Sequence, residues 1–192
     1  EAASRKARYG RPLVLVMGGS QGAAALNRAA LDTAPVLGGN VRWLHIAGRD
    51  HFEEVAARAA TELSGIEYEV KPFLDSAEMA EALASASVAV CRSGAGTLSE
   101  LAAFGLPSVL VPYPSAHGGH QLKNAMEFSQ MGAAALIEQE DLSVGALRGA
   151  IKLWLEQPEA TARAAAALSA WYLPDATETI LELLATASGS HT

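Results

Sequence analysis

The sequence has little of several things, and each scarcity narrows what the protein can be. A single cysteine, Cys91, rules out an internal disulfide and a cysteine metal cluster, so a reducing cytoplasm is the expected compartment. Charged residues make up only 18% of the chain, and its 14 Lys and Arg are outnumbered by 21 Asp and Glu. The net charge of −7, with no Lys/Arg-rich run, would repel a phosphate backbone, so no nucleic-acid partner is expected. No apolar stretch approaches the roughly 18 residues that a membrane-spanning helix needs. The opening EAASRKARYG lacks the apolar core of a signal peptide, and the chain is expected to be soluble by itself. An initiating methionine is lacking too: the chain begins at Glu1, the pattern of a piece of a longer protein, so function is expected to be shared with a part outside it.

What is present is a chain of 192 residues, 50% hydrophobic, long enough to bury a sizeable core. It shows no internal repeat, no low-complexity tract and no linker before its polar end SGSHT, which predicts a single domain over residues 1–192. RPLVLVMGG (11–19) reads as a buried strand running into glycines, and QGAAALNRAALDTAPVLGG (21–39) as a helix. The alternation then repeats. Strands are expected in VRWLHIAG, IEYEVKPF, SVAVCR, PSVLVPYP and AAALIEQ, with helices in DHFEEVAARAATELS, SAEMAEALASA, TLSELAAFG and HQLKNAMEFSQMG. SVGALRGAIKLWLEQ, PEATARAAAALSAW and ATETILELLATA follow as helices. Continuous rather than alternating apolar strands, separated by helices, predict an α/β fold: a parallel sheet of about six strands with helices on both faces. Ligands of such sheets bind beyond the carboxyl ends of the strands.

Three strand-to-helix turns carry candidate chemistry. In the first, Gly18, Gly19, Ser20, Gln21 and Gly22 join strand one to helix one. Glycines allow close backbone approach, and the free N–H groups of a helix start, with the Ser20 hydroxyl, suit phosphate oxygens. An ordinary tight turn is the competing reading. No Gly-Lys-Ser/Thr follows, so this is not a Walker A loop. The second turn is CRSGAGTLSE (91–100), where Ser93, Gly94, Ala95 and Gly96 offer small residues and N–H groups at another helix start. Thr97 and Glu100 match a capping box, which locally is the simpler role for Glu100. The alternative is a carboxylate accepting from two ribose hydroxyls. Arg92 is expected to anchor a phosphate or pair with an acid, Cys91 to be a small buried side chain, and Ser93 lacks the elbow motif of a hydrolase nucleophile. The third turn, PYPSAHGGHQLKNA (112–125), places His120, Gln121 and Asn124 at a helix start, uncharged donors and acceptors suited to sugar hydroxyls. His117 and His120 make a poor metal pair without a third ligand, and no Asp-x-Asp pair is present to hold a divalent ion on a diphosphate. No metal or other cofactor is therefore expected. His45, in register with Trp43 along a strand, reads as packed, and His51 lies at a helix start.

Taken in order, GGSQGAAALN, WLHIAGRD, KPFLDSAEMAEALASASVAVCRSGAGTLSELAAFGLPSVLVPYP and HGGHQLKNA closely resemble the MurG family, from about Arg11 to Leu184. These are bacterial transferases that move GlcNAc from UDP-GlcNAc to the lipid-linked muramyl pentapeptide (lipid I), making lipid II for the peptidoglycan of the cell wall, and so serve cell shape and division. The resemblance implies one Rossmann-like half of a two-half GT-B glycosyltransferase, the C-terminal donor-binding half. It implies that Gly19, Ser20, Gln21 and Gly22 meet the donor diphosphate and that Leu74, after Phe73, sits against the uracil with its backbone reading the base edge. Arg92, Ser93, Gly94, Ala95, Gly96 and Thr97 would lie along the diphosphate and ribose, Glu100 would bind ribose, and His120, Gln121 and Asn124 would read the sugar. Transfer would be inverting and metal-independent. The catalytic base, the lipid acceptor contacts and attachment to the cytoplasmic face of the plasma membrane would belong to the N-terminal half. A stand-alone donor subunit of a split membrane transferase, a lipid glycosyltransferase using another sugar, and a plain nucleotide-binding module are the competing expectations.

Overall fold

The structure, a computed structural model, describes residues 10–18, 23–38 and 40–174. The glycine-rich residues Gly19 to Gly22, Gly39 and the expected last helix over residues 176–187 lie outside them. Six strands form one parallel sheet: β1 (Leu13–Met17), β2 (Arg42–Ile46), β3 (Tyr68–Lys71), β4 (Val88–Cys91), β5 (Ser108–Leu110) and β6 (Ala134–Leu136). Their spatial order is β3-β2-β1-β4-β5-β6. Each strand-to-strand crossover carries a helix: α1 (Ala24–Leu37), α2 (Phe52–Glu62), α3 (Ser76–Ser85), α4 (Ala95–Ala103) and α5 (His120–Gln130), with α6 (Val144–Glu156) and α7 (Pro158–Trp171) following β6. No helix among the described residues is long and apolar enough to cross a membrane.

Strand residues alternate between the two faces, and both faces are covered. Val14, Val16, Val88, Val90 and Val109 pack under α1, α2 and α6 through Leu26, Ala30, Val55, Leu147 and Ile151. Leu13, Leu15, Met17, Ala89, Cys91 and Leu110 pack under α3, α4 and α5 through Leu83, Leu101 and Phe128. This is why the strands read as unbroken apolar runs: neither face meets water. β-Branched valines dominate one side and leucines the other.

Two boundaries differ from the sequence reading, and both bear on the site. Helix α1 is described from Ala24, with Ala23 as its N-cap, rather than from Gln21. Helix α4 begins at Ala95, two residues before the expected Thr97, and its N-cap is Gly94. The capping box expected at Thr97 and Glu100 is therefore absent: Thr97 is the third residue of the helix and Glu100 the sixth. A true capping box sits at α3 instead. There Asp75 Oδ1 accepts from the N–H groups of Ala77 and Glu78 at 2.9 Å each, and the Asp75 N–H donates to Glu78 Oε2 at 2.8 Å.

Candidate functional site

The strand order reverses direction between β1 and β4: the chain winds outward one way from β1 to β3, then crosses to β4 and winds the other way. The helices after β1 and β4 consequently leave on opposite faces, opening a crevice at the strands' carboxyl ends. Met17 and Cys91 are register partners, so the two strands end level and their following loops flank the same crevice. The end of β1 and the turn at 92–97 are thus brought together by topology although more than 70 positions separate them. Gly19, Ser20, Gln21 and Gly22 are themselves outside the described residues.

Helix α4 presents its start to this crevice without a side-chain cap. Its first intrahelical bond runs from Leu98 N to Gly94 O, 3.0 Å, which leaves the N–H groups of Ala95, Gly96 and Thr97 with no helical acceptor. Ala95 and Gly96 are exposed, Gly94 and Thr97 half-buried. Three free amides at the positive end of a helix form the arrangement that holds a phosphate group. A Cβ built on Gly94 or Gly96 meets nothing within 4 Å, so the smallness of this loop keeps the space before the helix open.

The residues just before the helix serve a different purpose from the one expected. Ser93 is fully buried, and its hydroxyl donates to the Gln121 carbonyl at 2.8 Å, so the side chain faces the protein and not a ligand. Arg92 is 8% exposed. Its Nη1 donates to the carbonyls of Val111 (2.9 Å) and Pro112 (3.1 Å), its Nη2 to Gln139 Oε1 (2.6 Å), and the guanidinium lies 5.4 Å from the Tyr113 ring centre. It neither pairs with an acid nor offers its charge to the crevice, because the buried carbonyls just past β5 claim it.

The third turn is tied to the second. Asn124 Nδ2 donates to the Ser93 carbonyl (3.0 Å), and the Tyr113 N–H donates to Gln121 Oε1 (3.0 Å). Each amide side chain is half committed: Gln121 keeps its two N–H donors and Asn124 its carbonyl oxygen for another partner. The preceding backbone turns through Gly118 and Gly119, both left-handed at φ 63° and 64°, a conformation in which a side chain is strained. His120 is exposed in the first turn of α5. Among the described residues, no three His, Cys, Asp or Glu side chains come together in a metal-ligating group.

Glu100 is exposed on α4, and among the described residues no hydrogen bond or ion pair engages its carboxylate. Loss of part of its solvent raises its pKa above the ordinary glutamate value. The side chain is thus a polar acceptor with no structural employment. Cys91 is 1% exposed, and burial, with Glu100 nearby, pushes its thiol up to about 12, so it stays protonated as a packing residue.

Beyond the end of β3 two consecutive apolar residues face opposite ways. Leu74 is 6% exposed and packs into the core with Ala82 and Leu83, whereas Phe73 is 54% exposed with the Arg49 guanidinium 5.1 Å from its ring centre. Of Leu74, only the backbone remains available to a base. Sequence reading passed over Phe73, Tyr113 and Gln139. The signal for Phe73 was present: of two consecutive apolar residues leaving a strand, one must face outward. Nothing local marks Gln139, whose role exists only because β6 lies beside β5. His45 is packed as expected, its Nε2 against Asn27 Oδ1 (2.9 Å) and its Nδ1 against the Tyr68 hydroxyl (2.7 Å). His51 ends the 3₁₀ turn Arg49–His51 that leads into α2.

Sheet order, helix placement and the crevice at the reversal define the class: a doubly wound, Rossmann-like α/β protein with its ligand crevice where β1 and β4 part. The chain belongs to glycosyltransferase family 28, of which it carries the C-terminal domain; the model of the glycosyltransferase family 28 C-terminal domain matches residues 13–180. It is 39% identical over 175 residues to the UDP-N-acetylglucosamine–N-acetylmuramyl-(pentapeptide) pyrophosphoryl-undecaprenol N-acetylglucosamine transferase of an Exiguobacterium species, an alignment covering 91% of this chain and 47% of the relative. It is 46% identical over 133 residues to the enzyme of the same name from Solibacter usitatus, covering 68% of this chain and 36% of that one. The crystal structure of MurG from Acinetobacter baumannii superposes with a TM-score of 0.84 at 28% identity, over 96% of this chain and 53% of that one. The fold is one half of a GT-B glycosyltransferase, as the sequence resemblance implied. The chain spans about half the length of the curated relatives it matches.

Proposed function

We propose that residues 1–192 form a single donor-binding domain for UDP-GlcNAc, half of an inverting transferase that adds GlcNAc to lipid I to make lipid II in peptidoglycan synthesis. The observation that carries this reading is the uncapped start of α4 at the crevice between β1 and β4, with the unengaged Glu100 carboxylate on the same helix. The identities to named transferases support the choice of donor and acceptor. In this reading the diphosphate lies on the amides of Ala95, Gly96 and Thr97 and on the 19–22 turn. Glu100 accepts from the ribose hydroxyls, and Gln121, Asn124 and His120 face the sugar. The backbone of Leu74 meets the uracil edge beside the exposed Phe73 ring.

The acceptor hydroxyl attacks the anomeric carbon as the bond from that carbon to the UDP oxygen breaks, with inversion. UDP leaves with the electron pair, and the hydroxyl proton passes to a base. Fixed N–H dipoles at the helix start stabilise the charge growing on the leaving diphosphate with little reorganisation, which makes a metal ion unnecessary. The base, the lipid acceptor contacts and attachment to the cytoplasmic face of the plasma membrane are assigned to the other half of the full-length protein.

Calorimetric titration of UDP-GlcNAc into the wild-type chain and Glu100→Ala tests this. The expected result is a loss of affinity of at least about tenfold, the size of one hydrogen bond to a charged acceptor, with an unchanged unfolding midpoint because Glu100 caps nothing. Equal affinity in the two proteins would remove the ribose role. UDP-glucose or UDP-galactose binding as tightly as UDP-GlcNAc would move the assignment to another sugar.

A further inference from the structure

We infer that Arg92 is a positioning residue for the sugar-facing side of the site, acting through the backbone of residues 111–113 and through Gln121 rather than by touching a phosphate. This rests on the donor-binding reading above. Every hydrogen-bond acceptor recorded for Arg92 is neutral: two consecutive carbonyls just past β5 and the amide oxygen of Gln139 just past β6. A planar guanidinium has five donors in a fixed fork, so it can span both strand ends at once. The Tyr113 ring lies against the guanidinium, completing its burial.

The consequence lies one residue further on. Tyr113 N–H donates to Gln121 Oε1, which turns the Gln121 amide so that its N–H donors, not its oxygen, are left for a ligand. Meanwhile Ser93 holds the other end of the same segment through the Gln121 carbonyl and Asn124. Two consecutive residues, Arg92 and Ser93, therefore pin both ends of the 113–121 segment to the end of β4. Without Arg92 the Val111 and Pro112 carbonyls lose their anchor; Val111 stays held through its N–H to the Cys91 carbonyl (2.8 Å), but Tyr113 beyond it withdraws its N–H and the Gln121 amide is free to rotate. The amides of α4 that face the diphosphate are untouched by that change.

The test is calorimetric titration of UDP and of UDP-GlcNAc into the wild-type chain, Arg92→Lys and Arg92→Gln, with backbone hydrogen exchange of the ligand-free proteins. UDP affinity is expected to stay within about twofold, while the Kd of UDP-GlcNAc relative to UDP rises about tenfold in both variants. Lysine fails because one ammonium cannot span β5 and β6. The Tyr113 amide is expected to exchange faster in both variants without ligand. A direct phosphate contact would instead weaken both ligands in Arg92→Gln and be rescued by lysine, overturning the inference. An unchanged affinity ratio in folded variants, or unchanged Tyr113 exchange, also overturns it. Wild-type protein that binds neither ligand rejects the donor-binding reading itself, and the sugar role of Arg92 with it. Gln139→Ala, which removes one of the three bonds without emptying the buried site, is expected to shift the ratio in the same direction by less and serves if the Arg92 variants do not fold.

Discussion

His45 lies wholly buried between Tyr68 and Asn27, and its neighbours dictate its protonation. Asn27 Nδ2 donates to the Ala47 carbonyl at 2.9 Å, so Asn27 Oδ1 must accept. His45 Nε2 therefore carries the proton, and Nδ1 accepts from the Tyr68 hydroxyl. Burial lowers the His45 pKa to about 4, against 6.5 when exposed. Above pH 6.5 the ring is neutral folded or unfolded; between 6.5 and 4 only the unfolded chain gains the proton, so stability falls on acidification. The difference amounts to about 3 kcal/mol lost by pH 4. Urea-unfolding midpoints measured from pH 7 to pH 4 are expected to show this decline in the wild type. The His45→Gln variant, which keeps a donor and an acceptor but does not titrate there, is expected to lack that part of it. The same scale decides Glu100: the local pattern favoured a cap, whereas the position of the helix start leaves the carboxylate unengaged.

Helices α3 and α4 begin with opposite strategies. The first turn of α3 is closed by Asp75 and Glu78, each side chain satisfying the other's backbone. Asp75→Ala is expected to lower stability by about 1 kcal/mol, read as a lower thermal unfolding midpoint, because the Ala77 and Glu78 amides lose their side-chain acceptor. Helix α4 has no such closure, and its free amides are retained at the crevice. Chain propensity alone would place a cap at Thr97, where a hydroxyl precedes Glu100 by three residues. The helix nevertheless starts at Ala95, and Leu98, Leu101 and Ala102 form its face toward the core under β4 and β5. The element boundaries in the sequence were legible wherever apolar runs met glycine or proline. They were not legible where two adjacent small residues could equally belong to loop or helix.

At the scale of the whole molecule, the reversal between β1 and β4 is what makes a site from dispersed turns. It brings the end of β1 and the loops after β4 and β5 to one edge, and Arg92, Ser93, Gln121 and Asn124 lock those two loops together. The chain spans about half of its named relatives, and we assign the catalytic base to the other half. The 192-residue chain on its own is therefore expected to bind UDP-GlcNAc and to form no lipid II when supplied with lipid I and labelled donor. Labelled lipid II from the chain alone would place the base among these residues.

By itself the sequence determined the alternation of strands and helices and the two-sided burial of the sheet, since periodicity, apolar runs and glycines act over a few neighbouring residues. The order of strands came from the structure, because the same βαβ alternation is compatible with more than one doubly wound order. Only the tertiary structure decided which side chains in the candidate turns are free. Arg92, Ser93 and Leu74 look available in a linear reading, yet are occupied by the carbonyl ends of β5, the start of α5 and the core beneath α3. Glu100 looks occupied and is free. A side chain's availability depends on which unsatisfied backbone groups lie within about 3 Å of it, and those groups come from strands and helices far away along the chain.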